Sequence, residues 1–216
     1  MFEKLENVIK IPSKINNKLI LKVVPGHFAT NHSHINYYMD MTRLKVGQRE
    51  AYQAASTMAK EYQYSTPIDT IICMDGCYMI GAFLASKLTE AGVISMNMHQ
   101  SIYVIEPEFN SSGQMMFRDN IQPMVRGKNV LLLLASATTG KTIAQSLECI
   151  EYYGGIIQGI SAIFSATDQI EGHTVKSIFH TDDLPDYQSF SQHHCPFCEA
   201  GHKIDAIVNS YGYSKL

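Results

Sequence analysis

The chain has no tryptophan, only 7 prolines, and 5 cysteines in 216 residues. An odd number of cysteines in a chain of this size, with no secretion signal, argues against a disulfide framework and for reduced thiols or a bound metal. There is also no run of Lys or Arg, and the net charge is −3. The electrostatic footprint of a nucleic-acid or anionic-membrane binder is therefore missing, and neither partner is expected. No apolar stretch approaches the roughly 20 residues that a membrane-spanning helix needs. The opening MFEKLENVIK lacks the uninterrupted apolar core of a signal peptide, so a cytoplasmic location is expected. Internal repeats and low-complexity tracts are absent too.

What remains is a composition that is 45% hydrophobic, enough for one sizeable core with a small hood or arm. Residues 1–24 read as an arm made of a helix and a strand that ends at Pro25-Gly26. Residues 25–190 read as the main domain and 191–216 as a C-terminal extension. Within the main domain, apolar runs alternate with helical periodicity. Helices are expected at Val46 to Tyr62 and Met79 to Ala91, and strands at Tyr37 to Met41, Thr70 to Met74, Val93 to Met96, Ser101 to Ile105, Ile156 to Phe164 and Ser177 to Phe179. Such alternation specifies an α/β fold with a central, mostly parallel sheet flanked by helices. Glu106 to Met124 is irregular and long enough to be a flap.

Gly127 to Gly155 organises the rest. Asn129 to Leu134 is an apolar strand, Ala135 to Thr139 a small-residue turn, and Gly140 to Tyr153 a helix with Ile143, Ala144, Leu147 and Ile150 at helical spacing. Ser136, Ala137, Thr138, Thr139, Gly140, Lys141 and Thr142 thus sit where a helix begins. Orphan N–H groups and the helix dipole favour an anion there, and Lys141 adds a cation. In open parallel sheets ligands bind at the carboxyl ends of strands, which places the turn Asp75, Gly76, Cys77 and the flap at the same rim. Two other readings of the loop stand. It is one residue from a Walker A loop, with Ala135 in place of the first Gly, or it is a helix start that caps itself.

This order of parts resembles the type I phosphoribosyltransferases, and most of all the orotate phosphoribosyltransferases, over roughly Pro25 to Asp168. Three pieces carry the resemblance: His32-Ser33 through Tyr37-Tyr38-Met39-Asp40, the strand and turn Asp69 to Ala82, and Val130 to Thr142. Thr138-Thr139-Gly140-Lys141-Thr142 matches the tail of that family's binding motif for phosphoribosyl pyrophosphate (PRPP). The resemblance implies that this tail wraps a ribose 5′-phosphate, that His32, Ser33, Tyr37 and Asp40 are candidates to line the pocket or grip the base, that Mg²⁺ takes part if PRPP is used, and that two copies pair as a homodimer. It also exposes departures. Leu134 and Ala135 stand where the motif has two acidic residues that hold the ribose hydroxyls, Cys77 stands at the Lys position of the orotate enzymes, and the flap has no cation before Arg118. The expected function is therefore binding of a ribose 5′-phosphate or nucleotide, in the orbit of pyrimidine nucleotide metabolism, with PRPP-dependent transfer weak or absent. A noncatalytic nucleotide or PRPP sensor on the same scaffold is the alternative.

A second signal lies in His193-His194-Cys195-Pro196-Phe197-Cys198-Glu199-Ala200-Gly201-His202. A C-x-x-C pair with nearby histidines has the softness and spacing for tetrahedral Zn²⁺, and the candidate ligands are Cys195, Cys198, His194 and His202. A turn without metal is the competing reading.

Overall fold

A computed structural model describes residues 7–90, 95–97, 101–138, 140–184 and 186–216. The chain first lays down three strands, β1 (Ile9–Pro12), β2 (Ile20–Ala29) and β3 (Ser33–Asp40), joined antiparallel. Two helices follow, α1 (Thr42–Val46) and α2 (Gln48–Ala59). Then β4 (Thr70–Cys73), α3 (Tyr78–Glu90) and β5 (Tyr103–Ile105) lead to a small antiparallel hairpin, β6 (Glu108–Phe109) and β7 (Met115–Met116). The organising stretch forms β8 (Asn129–Ala137) and α4 (Lys141–Tyr152), followed by β9 (Ile156–Ser165), β10 (Gln169–Ile170) and β11 (His173–His180). The chain finishes with β12 (Ser189–Ser191), the short α5 (Pro196–Glu199) and the hairpin β13 (Ala206–Asn209) and β14 (Gly212–Lys215).

The central sheet has the order β10-β11-β9-β8-β4-β5, and only the two-residue edge strand β10 runs antiparallel. Its middle strand shows why it is central. Leu131, Leu133 and Ala135 face one core beneath α2 and α3, whereas Val130, Leu132, Leu134 and Ala137 face a second core beneath α4. A strand covered on both sides must be apolar at every position, and NVLLLLASA nearly is. On α4, Ile143, Leu147 and Ile150 are buried as their spacing predicts. On α2 the buried face is Ala51, Ala54, Ala55 and Met58. The small side chains there let α2 pack closely against α3. Gly81 on α3 has a similar role, since a Cβ there would come within 2.3 Å of Cys73 Sγ.

The second sheet, order β12-β3-β2-β13-β14 with β1 on β2, draws strands from both ends of the chain. It has its own small core of Val24, Phe28, Ile35, Tyr38, Ala206 and Val208, and it sits as a hood over one end of the main sheet.

Several boundaries differ from the sequence expectation. β2 does not stop at Pro25-Gly26 but continues to Ala29, with the register shifting between Pro25 and Phe28; a bulge absorbs the proline, which cannot donate to the ladder. The arm helix expected before it falls partly on residues outside the described set, and Ile9–Pro12 is a strand. Half of the strand expected at Val93 to Met96 also falls outside that set, and Met96 and Asn97 form a turn. β8 runs three residues past the expected Leu134. Among the described residues, no helix is long and apolar enough to cross a membrane.

Candidate functional site

The carboxyl ends of β4 and β8, the start of α4 and the inner face of the hood enclose a cavity of about 770 Å³. From the main domain, Asp75, Ala135, Ser136, Thr138, Gly140 and Thr142 reach it; the tip of the β6–β7 hairpin adds Phe109. From the hood come Ser33, Tyr38 and the β13–β14 turn around Ser210.

The extra length of β8 changes what the loop before α4 can offer. Ser136 and Ala137 pair with Phe164 and Ser165 of β9, and Ala137 O accepts a hydrogen bond of 2.8 Å from Ala166 N. Both are therefore strand residues, and only positions 138–140 separate β8 from α4. Thr139 lies outside the described residues. Gly140 takes a left-handed conformation, φ 71°, which a residue with a Cβ adopts at a cost. It precedes the first residue of α4, and its carbonyl accepts from Ala144 N at 2.8 Å. Among the described residues no side chain caps this helix end. The first N–H groups of α4, a 12-residue helix opened by Lys141, are thus left for solvent or an anion at the cavity wall. The self-capping reading of the loop finds no support in a glycine N-cap, which has no side chain to offer. The Walker A reading is also disfavoured, because Ala135, at the position of the first Gly, lies within β8 and not in a turn.

The turn after β4 is the facing wall. Asp75 and Gly76 both have positive φ, 58° and 73°, which turns the chain sharply and brings the Asp75 carboxylate to Ala135 N at 3.3 Å. Burial holds this carboxyl above its ordinary range, opposed by the Ala135 N–H, the Ser210 hydroxyl and the Lys45 ammonium. Lys45 is the residue that sequence reasoning missed. It is buried, and its Nζ donates to Asp75 O at 2.8 Å and also to Ser210 O. A Lys four residues into a loop-helix junction gives no sequence signal; only the packing of α1 under the hood aims it here. Cys77, which stands at the family's Lys position, is fully buried in the core beneath the helices. Burial, together with Asp75, pushes its thiol up to about 12, so it supplies neither a cation nor a thiolate.

Of the four hood candidates, the structure brings His32 and Ser33 to the cavity. Tyr37 instead packs partly buried against the main core, and its neighbour Tyr38 lines the cavity. Burial, then Asp40 and Tyr213, push the Tyr38 hydroxyl up to about 12, so it stays protonated and can donate. Asp40 accepts from Thr42 N at 3.0 Å, closing the turn that leads into α1. On the flap, Arg118 is held by Glu108 through Nε at 2.9 Å and Nη2 at 2.8 Å, with both side chains exposed.

The C-terminal cysteines meet different histidines from those expected. Cys195 and Cys198 gather with His27 of β2 and His34 of β3. His202 offers only its backbone carbonyl to this group, 3.1 Å from His27 Nδ1, while its ring sits edge-on to Phe197. His194 is anchored through its backbone N–H to Ser191 O at 3.1 Å. The local spacing pointed at residues near in sequence; the β2–β3 hairpin supplies ones far away.

No protein-family model and no curated protein matches this sequence. Solved structures do match in three dimensions. UMP synthase of Leishmania donovani superposes with a TM-score of 0.53 at 15% identity over 76% of this chain, which spans only 34% of that longer protein. Orotate phosphoribosyltransferase of Aeropyrum pernix gives 0.51 at 18% identity, covering 76% of this chain and 92% of that one. Adenine phosphoribosyltransferase of Thermoanaerobacter pseudethanolicus gives 0.50 at 15%, covering 80% and 95%. Identities this low speak to the fold alone, and enzymes for different bases match about equally. With 76–80% of the chain superposed on these structures, the chain has the type I phosphoribosyltransferase fold.

Proposed function

We propose that this protein binds a ribose 5′-phosphate or a nucleoside monophosphate at the start of α4 and has little or no PRPP-dependent transferase activity. One observation carries the reading. Leu134 and Ala135 occupy the places of the ribose-binding acidic pair, are 2% and 4% exposed, and sit within a paired strand. Neither side chain can accept a hydrogen bond from a ribose hydroxyl. Phosphoribosyl transfer develops positive charge on the ribose while a multiply charged pyrophosphate departs, so groups that meet those charges carry much of the rate. One such contact is worth about 2.7–4 kcal/mol, and several lost together do not simply add. Lys45 is engaged by two carbonyls and Arg118 by Glu108, so neither is poised for a pyrophosphate. The anion site at α4 needs none of these groups.

A transferase with a relocated acid is the second reading. It is favoured by the Asp75 carboxylate, which reaches Ala135 from the neighbouring strand. Pairing of two copies and a role in pyrimidine nucleotide metabolism belong to the same proposal. Calorimetric titration of the full chain with ribose 5-phosphate, UMP, AMP and PRPP, each with and without Mg²⁺, tests it. Saturable binding of at least one monophosphate that does not need Mg²⁺ is the expected result. Binding of PRPP or ATP only, and only with Mg²⁺, would count against it.

A further inference from the structure

The β2–β3 hairpin and the segment between β12 and β13 meet at a group of four ligand-type atoms. His27 Nε2 lies 3.0 Å from His34 Nδ1, 3.5 Å from Cys195 Sγ and 3.7 Å from Cys198 Sγ; Cys198 Sγ lies 3.3 Å from His34 Nδ1. All four atoms fall within 4.8 Å of one another. In a tetrahedral zinc site, bonds of about 2.3 Å to sulfur and 2.0–2.1 Å to nitrogen put neighbouring ligand atoms about 3.3–3.8 Å apart. The spacing here is already close to that of a metal shell. We propose that His27, His34, Cys195 and Cys198 bind a structural Zn²⁺ that clips the C-terminal segment across the hood.

The surroundings orient the ligands. His27 Nδ1 faces two backbone carbonyls, His202 O at 3.1 Å and Lys203 O at 3.2 Å. A carbonyl can only accept, so Nδ1 carries the proton and Nε2 turns its lone pair toward the other three atoms. A carbonyl behind a metal-binding imidazole fixes its tautomer and strengthens it as a ligand. His27, His34 and Cys195 are buried and Cys198 is exposed, which leaves an entry path beside an otherwise closed site. Two thiolates and two neutral imidazoles around Zn²⁺ sum to zero charge, which suits burial far better than a lone ion. Soft sulfur with imidazole in a tetrahedral set selects zinc over magnesium or calcium.

The topology gives the site a purpose. β12 adds to β3 on one edge of the hairpin, through Ser191 opposite Ser33, and β13 adds to β2 on the other, through Ala206 opposite Phe28. The chain between them must cross the hairpin, and α5 with its C-x-x-C is that crossing. One metal ion would tie it to both strands beneath. The inference stands apart from the phosphate reading, although β13 and β14 also wall the cavity.

The test uses the full untagged chain, saturated with Zn²⁺ and dialysed, with metal measured by mass spectrometry. About one zinc per chain is expected for a closed four-ligand site. Replacement by Co²⁺ should give a thiolate-to-cobalt charge-transfer band and the intense visible bands of tetrahedral cobalt. His34→Gln and Cys198→Ser should lose the metal, while His194→Ala and His202→Ala keep it. If the ligand variants fail to fold, the cobalt spectrum of the unaltered chain still decides. Metal far below one equivalent, an octahedral cobalt spectrum, a Cys195–Cys198 disulfide in the isolated protein, or His202→Ala losing metal as His34→Gln does would each overturn the proposal.

Discussion

Asp75 is the residue whose environment departs furthest from its sequence context. The sequence places it in a turn at the carboxyl rim of the sheet; in the structure its carboxylate is buried against Ala135 N and its carbonyl holds Lys45. Because the folded chain raises its pKa, the carboxyl favours the proton when folded. Its contribution to stability is complete below the ordinary carboxyl pKa and is lost as pH rises through the raised value. Asp75→Asn never ionises. Urea unfolding should therefore show the variant gaining on the unaltered protein as pH rises from about 4 toward neutrality, starting from the ordinary carboxyl value. A gap that is constant across that range would mean that the carboxyl titrates as it does when unfolded. Tyr37 and Tyr38 show what a sequence hides. Tyr38 rather than Tyr37 faces the cavity, because the parity of a strand is set by which face the hood core covers, and two adjacent tyrosines carry no parity signal.

At the scale of elements, β8 and α4 were legible because both obey simple periodicities: continuous apolar residues for a strand covered on two faces and 3.6-residue spacing for a helix covered on one. The point where the strand gives way to the loop was not legible. Ala135, Ser136 and Ala137 are small and chemically neutral, and only their pairing with β9 makes them strand. Their identity as strand is also what removes them from the loop before α4. Leu134 belongs to the core under α4, next to the cavity yet 2% exposed. Leu134→Ala should cost about 2–5 kcal/mol in chemical denaturation, as for other buried leucines. A cost below about 0.5 kcal/mol, the range of ordinary surface changes, would show that this position faces ligand or solvent.

For the whole molecule, the sequence suggested an arm at one end and an extension at the other. The structure joins residues from both into one sheet, and that sheet is half of the cavity wall. Pairings between strands more than 150 residues apart, such as Ser191 with Ser33 and Ala206 with Phe28, leave no local trace. The same long range put His27 and His34 beside the C-x-x-C and Lys45 beside Asp75. The result is a type I phosphoribosyltransferase fold in which the uncapped start of α4 is open to the anion proposed above, while the positions that would meet charge on ribose and pyrophosphate are apolar or already paired. The most direct test of that account is steady-state turnover of PRPP by the full chain, with Mg²⁺ and a panel of purine and pyrimidine bases including orotate. Turnover far below about 1 s⁻¹, the low end of ordinary enzyme rates, is predicted for every base; a rate at or above it with any one base would contradict the account.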